Sequence, residues 1–267
     1  MCKTRDVSAD LPHGVELVSE TVDVTAADGV ADAFLTRPAA AGRFPGVVLY
    51  MDAFGIRGAL EAHARRLAAH GYCVLVPNVF YRDGRSPVVE NIEQLVGGQD
   101  REALFAVIGP KMAALTPEAA NADSERWLAF LRDRVGLGEQ PVGTVGYCMG
   151  GRLSLRMAGE FPGAVAAAAS FHGGNLATTE ADSPHLSVVR AAAELYIGHA
   201  DNDGSMDPEQ MGRLTRELAD AHVRHAAELY VGARHGWTQT DTPAYDRPSA
   251  ERHWMRLLEL FDRVLRP

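Results

Sequence analysis

Three short segments carry side chains able to do chemistry together, and the first is built on a thiol. Cys148 lies at the centre of Gly146-Tyr147-Cys148-Met149-Gly150-Gly151, a G-x-C-x-G pattern. An apolar run, Val142 to Tyr147, precedes it, and a helical pattern from Met149 to about Gly159 follows. A sharp strand-to-helix turn strains its central residue, and Gly146 and Gly150 on either side let strand and helix approach closely. The thiol then projects from the carboxyl end of the strand. The helix start places partial positive charge there, which lowers a thiol pKa, and the Met149 amide can donate to a developing oxyanion. The bland alternative, a small buried hydrophobe in a glycine-rich turn, needs no partners elsewhere in the chain.

Partners are present downstream. After Leu195-Tyr196-Ile197 comes Gly198-His199-Ala200-Asp201-Asn202-Asp203-Gly204, which holds two carboxylates. After Leu229-Tyr230-Val231 comes Gly232-Ala233-Arg234-His235-Gly236-Trp237. Nucleophile, acid, base, with the last two on loops after later strands, is the chain order of a nucleophilic site on this kind of sheet. His235 is the candidate base, and a carboxylate behind it would fix its tautomer and stabilise the imidazolium. One of Asp201 and Asp203 can instead close the turn through an Asx-type bond, and spacing leaves both open. For His235 the plain alternative is a loop histidine bonded to backbone.

The elements needed to position these residues are legible as alternating apolar runs and helical patterns, which build a mostly parallel sheet of about eight strands with helices on both faces. Strands are expected near 15–24 and 30–36, as a hairpin turning at Ala27-Asp28-Gly29. Gly46–Met51 reads as a central strand buried on both faces. A helix over 58–70 ends at Gly71, and Tyr72–Val76 is the next strand. Further expectations are a helix over about 119–134, strands at 142–147, 164–171, 193–198 and 226–231, and helices at about 208–221 and 248–265. Residues 83–117 carry several Gly and Pro residues among short helical patterns and read as a helical excursion within one domain spanning 1–267.

Composition narrows the class of partner. The chain has 267 residues, is 46% hydrophobic and carries a formal charge of −9. That is enough to bury one large core, and too acidic for nucleic acid or an anionic membrane surface. Cys2, Cys73 and Cys148 are widely spaced, so neither a disulfide framework nor a zinc site is suggested. No apolar stretch approaches the length of a membrane span. A cytoplasmic protein, monomer or homodimer, acting on a small molecule is expected.

Taken together, GYCMGG, the ADND loop and GARHGW resemble the dienelactone hydrolase family, whose fold is the α/β-hydrolase fold. The likeness runs from about residue 30 to 265 and includes two further blocks. In Tyr50-Met51-Asp52-Ala53-Phe54-Gly55-Ile56, Asp52 matches the glutamate that takes part in activating the thiol, one methylene shorter here. In Val76-Pro77-Asn78-Val79-Phe80-Tyr81-Arg82, Arg82 matches an arginine that binds the substrate carboxylate, the plain alternative being a solvated surface arginine. The family's second carboxylate-binding arginine lies four positions after the histidine, where this chain has Gln239. One lost guanidinium removes a bidentate carboxylate partner, so the acidic dienelactone itself is a doubtful substrate. The resemblance favours Asp203 over Asp201 as the acid.

The resemblance implies a carboxylic ester hydrolase, carboxymethylenebutenolidase-like, that opens an ester or lactone through an acyl group on Cys148. Met149 and Ala53 amides would form the oxyanion hole, Phe54, Tyr147, Trp237, Gln239 and Arg82 would face the substrate, and no metal or organic cofactor is required. The rival reading is a non-catalytic ligand-binding or redox-sensing protein whose exposed thiol is the sensor. An intact acid and base argue against it, since a sensor needs neither. Cleavage of a carbon–halogen or peroxide bond is a third reading, disfavoured because those chemistries usually use a carboxylate or serine at position 148.

Overall fold

Residues 14–88 and 101–266 are described by a computed structural model. Eight strands form one sheet: β1 (Leu17–Ala26), β2 (Gly29–Pro38), β3 (Gly46–Tyr50), β4 (Cys73–Pro77), β5 (Val142–Tyr147), β6 (Val165–Phe171), β7 (Glu194–Asn202) and β8 (His225–Arg234). Their order is β1-β2-β4-β3-β5-β6-β7-β8. β1 and β2 pair antiparallel from Leu17–Pro38 to Ala26–Gly29, and β2 runs antiparallel to β4; every other pairing is parallel. The expected edge hairpin on an otherwise parallel sheet is therefore what forms. β3, β4 and β5 are buried at every position, which is why they read as unbroken apolar runs rather than alternating ones.

The helices are α1 (Gly58–Ala69), α2 (Arg101–Ala114), α3 (Pro117–Val135), α4 (Met149–Glu160), the single turn α5 (His185–Val188), α6 (Pro208–Asp220) and α7 (Arg247–Leu265). Three of them start alike, with a side-chain cap and an early proline. Thr116, Asp207 and Asp246 accept from the amides of Ala119, Gln210 and Ser249, satisfying donors that helix geometry leaves unpaired. α1 and α7 meet on one side of the sheet, with the His63 ring edge-on to Trp254 at 5.3 Å. α3, α4, α5 and α6 touch in succession as a second layer. α7 buries Trp254, Leu257, Leu260 and Phe261. Of the expected excursion at 83–117, residues 89–100 lie outside the described residues, and 101–114 is helix α2. The short α5 has no counterpart among the sequence expectations.

From β3 the chain crosses to β4 on one side, and β5 then lies on the other side of β3. In an open α/β sheet such a reversal leaves a crevice at the carboxyl ends of the two strands, where ligands bind. The loops after β3 and β5 border it. No described helix is long and apolar enough to cross a membrane.

Candidate active site

Cys148 follows the last residue of β5 and precedes the first residue of α4, with φ +54° and ψ −119°. A non-glycine residue in that region is uncommon, and it persists only where its surroundings over-determine it. The determinants are specific. The Cys148 amide donates to the Phe171 carbonyl at 3.1 Å, and its carbonyl accepts from Gly151 N–H at 3.0 Å. A Cβ at Gly146 would overlap the Gly150 carbonyl, and one at Gly150 would lie 2.5 Å from the carbonyl oxygens of both Met51 and Tyr50. Only hydrogen fits at either place. Cys148 is half-buried at the head of α4, and Met149, as the first residue of that helix, has an amide with no partner within the helix.

The base and acid meet as a pair. His235 Nδ1 donates to Asp203 Oδ2 at 2.6 Å, and the Asp203 side chain is 3% exposed. The other carboxylate oxygen accepts from the amide (2.9 Å) and hydroxyl (2.6 Å) of Ser205. Burial would raise the Asp203 carboxyl, but the His235 and Ser205 bonds prevail and hold it below the usual carboxylate range. Burial would likewise lower His235. The charge of Cys148 and the bonds to Cys148 and Asp203 overcome that and raise the imidazolium to about 10. Imidazole and carboxylate thus form one bonded pair, with Cys148 acting on the imidazole by its charge. Asp201 is used otherwise: its Oδ2 accepts from Gly232 N–H at 2.8 Å, beside the irregularity in β7–β8 pairing between Ala200 and Asn202. Asp201 thus ties β7 to the end of β8, while Asp203 both closes its own Asx-type turn through the Ser205 amide and meets the histidine.

The structure places the remaining expected site residues less simply. Both oxygens of buried Asp52 are occupied, Oδ1 by the Phe54 amide (2.9 Å) and Arg57 Nη1 (2.7 Å), and Oδ2 by Arg57 Nη2 (2.9 Å). A carboxylate so held by a guanidinium is not a free proton acceptor for the thiol. Arg82 is exposed, yet its guanidinium is already engaged: it donates to Asp28 and to Asp123, whose side chain is 2% exposed and needs a counter-charge. Tyr147 points into the core. Its hydroxyl meets His253 Nε2 at 3.0 Å and its ring lies against Phe171 and His172, so it supports the nucleophile turn instead of facing the cleft. Trp237 is also fully buried, stacked on Tyr230 at 4.7 Å and edge-on to His172 at 4.8 Å. Gln239 is buried, with neither its amide oxygen nor its amide nitrogen bonded to protein. Phe54 is half-exposed, 5.4 Å beneath the Arg57 guanidinium.

Several residues of the site carried no signal in the sequence. Arg57 and the half-buried Asp241 join Asp52 in a charge cluster. His172 lies edge-on to His235 at 5.2 Å, its Nε2 bonded to Thr238 Oγ1 at 2.8 Å. Burial and the neighbouring His235 hold it neutral. No spacing rule finds these residues, because their partners lie on other loops. Among the described residues no group of three His, Cys, Asp or Glu side chains is placed to hold a metal ion.

A thiol on a strained strand-to-helix turn, faced by an imidazole and its carboxylate at the switch point of such a sheet, defines an α/β-hydrolase-type site. The model of the dienelactone hydrolase family matches residues 31–265, and the chain belongs to that family of carboxylic ester hydrolases. A carboxymethylenebutenolidase of Rhodococcus opacus is 28% identical over 224 residues, covering 82% of this chain and 81% of its own. A candidate dienelactone hydrolase from Klebsiella pneumoniae superposes with a TM-score of 0.79 at 21% identity, covering 92% of this chain and 98% of that one. A dienelactone hydrolase-like promiscuous phosphotriesterase from metagenomic libraries superposes at 0.73 with 21% identity, covering 94% and 99%. At those identities the two structures speak for the fold alone.

Proposed function

We propose that this protein hydrolyses a small, uncharged ester or lactone through a thioester on Cys148, with His235 as acid and base and Asp203 as its orienting carboxylate. The observation that supports this most is the strained Cys148 backbone at the start of α4 together with the 2.6 Å His235–Asp203 bond. A structural cysteine requires neither. The thiolate sulfur attacks the carbonyl carbon, and the oxyanion takes the amides of Met149 and Ala53. The imidazolium gives its proton to the leaving oxygen as the carbon–oxygen bond breaks. In a lactone that oxygen stays tethered to the acyl group.

Acylation then changes the base. The principal influence raising His235 is the charge on Cys148, and a thioester sulfur carries none. Having passed its proton to the leaving oxygen, His235 therefore stays neutral beside the thioester, free to take a proton from the attacking water. Collapse of the second tetrahedral intermediate breaks the carbon–sulfur bond and restores the ion pair.

The preference for an uncharged substrate rests on two residues. Arg82 is already paired with Asp28 and Asp123, and Gln239 offers a neutral amide where the family carries a second arginine. The rival thiol-sensor reading is not favoured. Cys73, the other described cysteine, is buried in β4 and pushed by burial up to about 12, which makes it a poor resolving thiol.

The test is mass spectrometry of the intact chain mixed with p-nitrophenyl acetate. The expected result is a transient acetyl adduct on Cys148 with steady release of nitrophenol, and no release above background by Cys148→Ala. Undiminished turnover by the alanine variant would exclude the proposal.

A further inference from the structure

Arg57 is the most heavily engaged side chain of the protein's crevice, and it belongs to none of the reacting groups. It sits just before α1, 6% exposed, and all five of its N–H donors are used. Nη1 and Nη2 fork Asp52 at 2.7 and 2.9 Å, Nε and Nη2 fork Asp241 at 2.5 and 3.2 Å, and Nη1 also reaches the Gly55 carbonyl at 3.2 Å. The two carboxylates come from different loops. Asp52 is in the loop after β3, and Asp241 is in the loop after β8 that begins at His235.

The Asp52 carboxylate is tied to the backbone around it, and the residue next to Asp241 is tied to its own loop. On the first loop, Asp52 Oδ1 accepts from Phe54 N–H at 2.9 Å and the Asp52 carbonyl from Gly55 N–H at 3.3 Å, closing a turn with Ala53 inside it. On the second, Thr242 next to Asp241 donates its hydroxyl to the carbonyls of Gly236 (3.3 Å) and Gln239 (3.1 Å). Gly236 adjoins His235. A displacement of Asp241 is thereby passed to the histidine, and one of Asp52 to the Ala53 amide.

We propose that Arg57 is a positioning residue: by clamping Asp52 and Asp241 it sets the Ala53 amide in register with His235, assembling the oxyanion site across two loops. This rests on the reading of Cys148 and His235 given above. A planar fork held at both edges resists rotation and sliding, which one ion pair does not. Such precision matters because an error of about 1 Å in a catalytic group costs about 100-fold in rate. Two carboxylates on one guanidinium also leave the cluster with an excess negative charge, an arrangement that a surface ion pair made only for stability does not need.

Two reactions of the same thiol separate this role from a merely structural one. Acylation by p-nitrophenyl acetate passes through an oxyanion, whereas alkylation by iodoacetamide displaces iodide and forms none. Asp241→Asn keeps the Arg57–Asp52 fork, and the Asp241 side chain is 26% exposed, so this variant is the one expected to fold without difficulty. It should slow single-turnover acylation about 10- to 100-fold while alkylation stays within about twofold and KM within about threefold. Arg57→Lys, which keeps the charge and loses the fork, should behave in the same way. Equal losses in both reactions, or unchanged acylation in both variants, would overturn the role of Arg57. A wild-type chain that is alkylated but never acylated would overturn the proposed hydrolysis instead, and the oxyanion role with it.

Discussion

At Cys148 the backbone carries the strain and the side chain the reactivity. A cysteine at φ +54° costs stability wherever it occurs, and here the cost is met by hydrogen bonds from both of its peptide units into β6 and α4. His235 gains its basicity from contacts rather than exposure, because burial opposes its charge and only Cys148 and Asp203 reverse that. The two neighbouring aspartates are separated by what their oxygens accept. Asp203→Asn removes the negative charge behind the imidazolium and lets an amide N–H hold the wrong tautomer, so turnover of an activated ester should fall by about 10⁴-fold. Asp201→Asn keeps an amide oxygen that can accept from Gly232 N–H, and turnover should stay within about threefold. Steady-state rates of the two variants, measured side by side, decide the assignment; a larger loss in Asp201→Asn would reverse it.

At the level of elements, the site depends on how closely α4 lies against the ends of β3 and β5. Gly150 is where the helix start approaches the β3 end, against two consecutive carbonyls. Gly150→Ala must push the helix start away from β3, at a cost of about 1–3 kcal/mol by analogy with overpacked cores. Urea unfolding should show that loss, and the acylation rate should fall with it, since the displaced helix start carries Met149. Full activity in the alanine variant would mean that the approach is looser than the coordinates place it. The loops after β3 and β8 are in addition tied to each other by charge. A buried pair stripped of one partner costs about 3–5 kcal/mol, so Arg57→Leu should be far more destabilising than Asp241→Asn.

Over the whole molecule, the histidines beneath the site form a layer that must remain uncharged. Burial first, and the positive charge of Arg57 next, lower His63 to about 4; burial lowers His199 to about 4; His172 and His253 lie well below the ordinary value for the same primary reason. Each is depressed in the folded state, so the unfolded chain binds more protons in acid. The associated stability is fully present above about pH 6.5 and is lost as pH falls toward 4. The thermal midpoint should therefore decline already between pH 6.5 and 5, before most carboxylates titrate, and a flat profile there would contradict the buried neutral layer. The sequence by itself determined the order of strands and helices, the Cys148 turn and the chain order of acid and base, because burial on both sheet faces and the demands of a sharp turn are local properties written in consecutive residues. The edge hairpin was legible for the same reason. Only the tertiary structure decided which aspartate meets His235, that Arg82 is spent on Asp28 and Asp123, that Tyr147 and Trp237 face the core, and that Arg57 joins two loops 184 residues apart. Those outcomes depend on which charged and aromatic groups the packed sheet brings within reach of one another, and a bond across the fold leaves no periodicity in the chain to announce it.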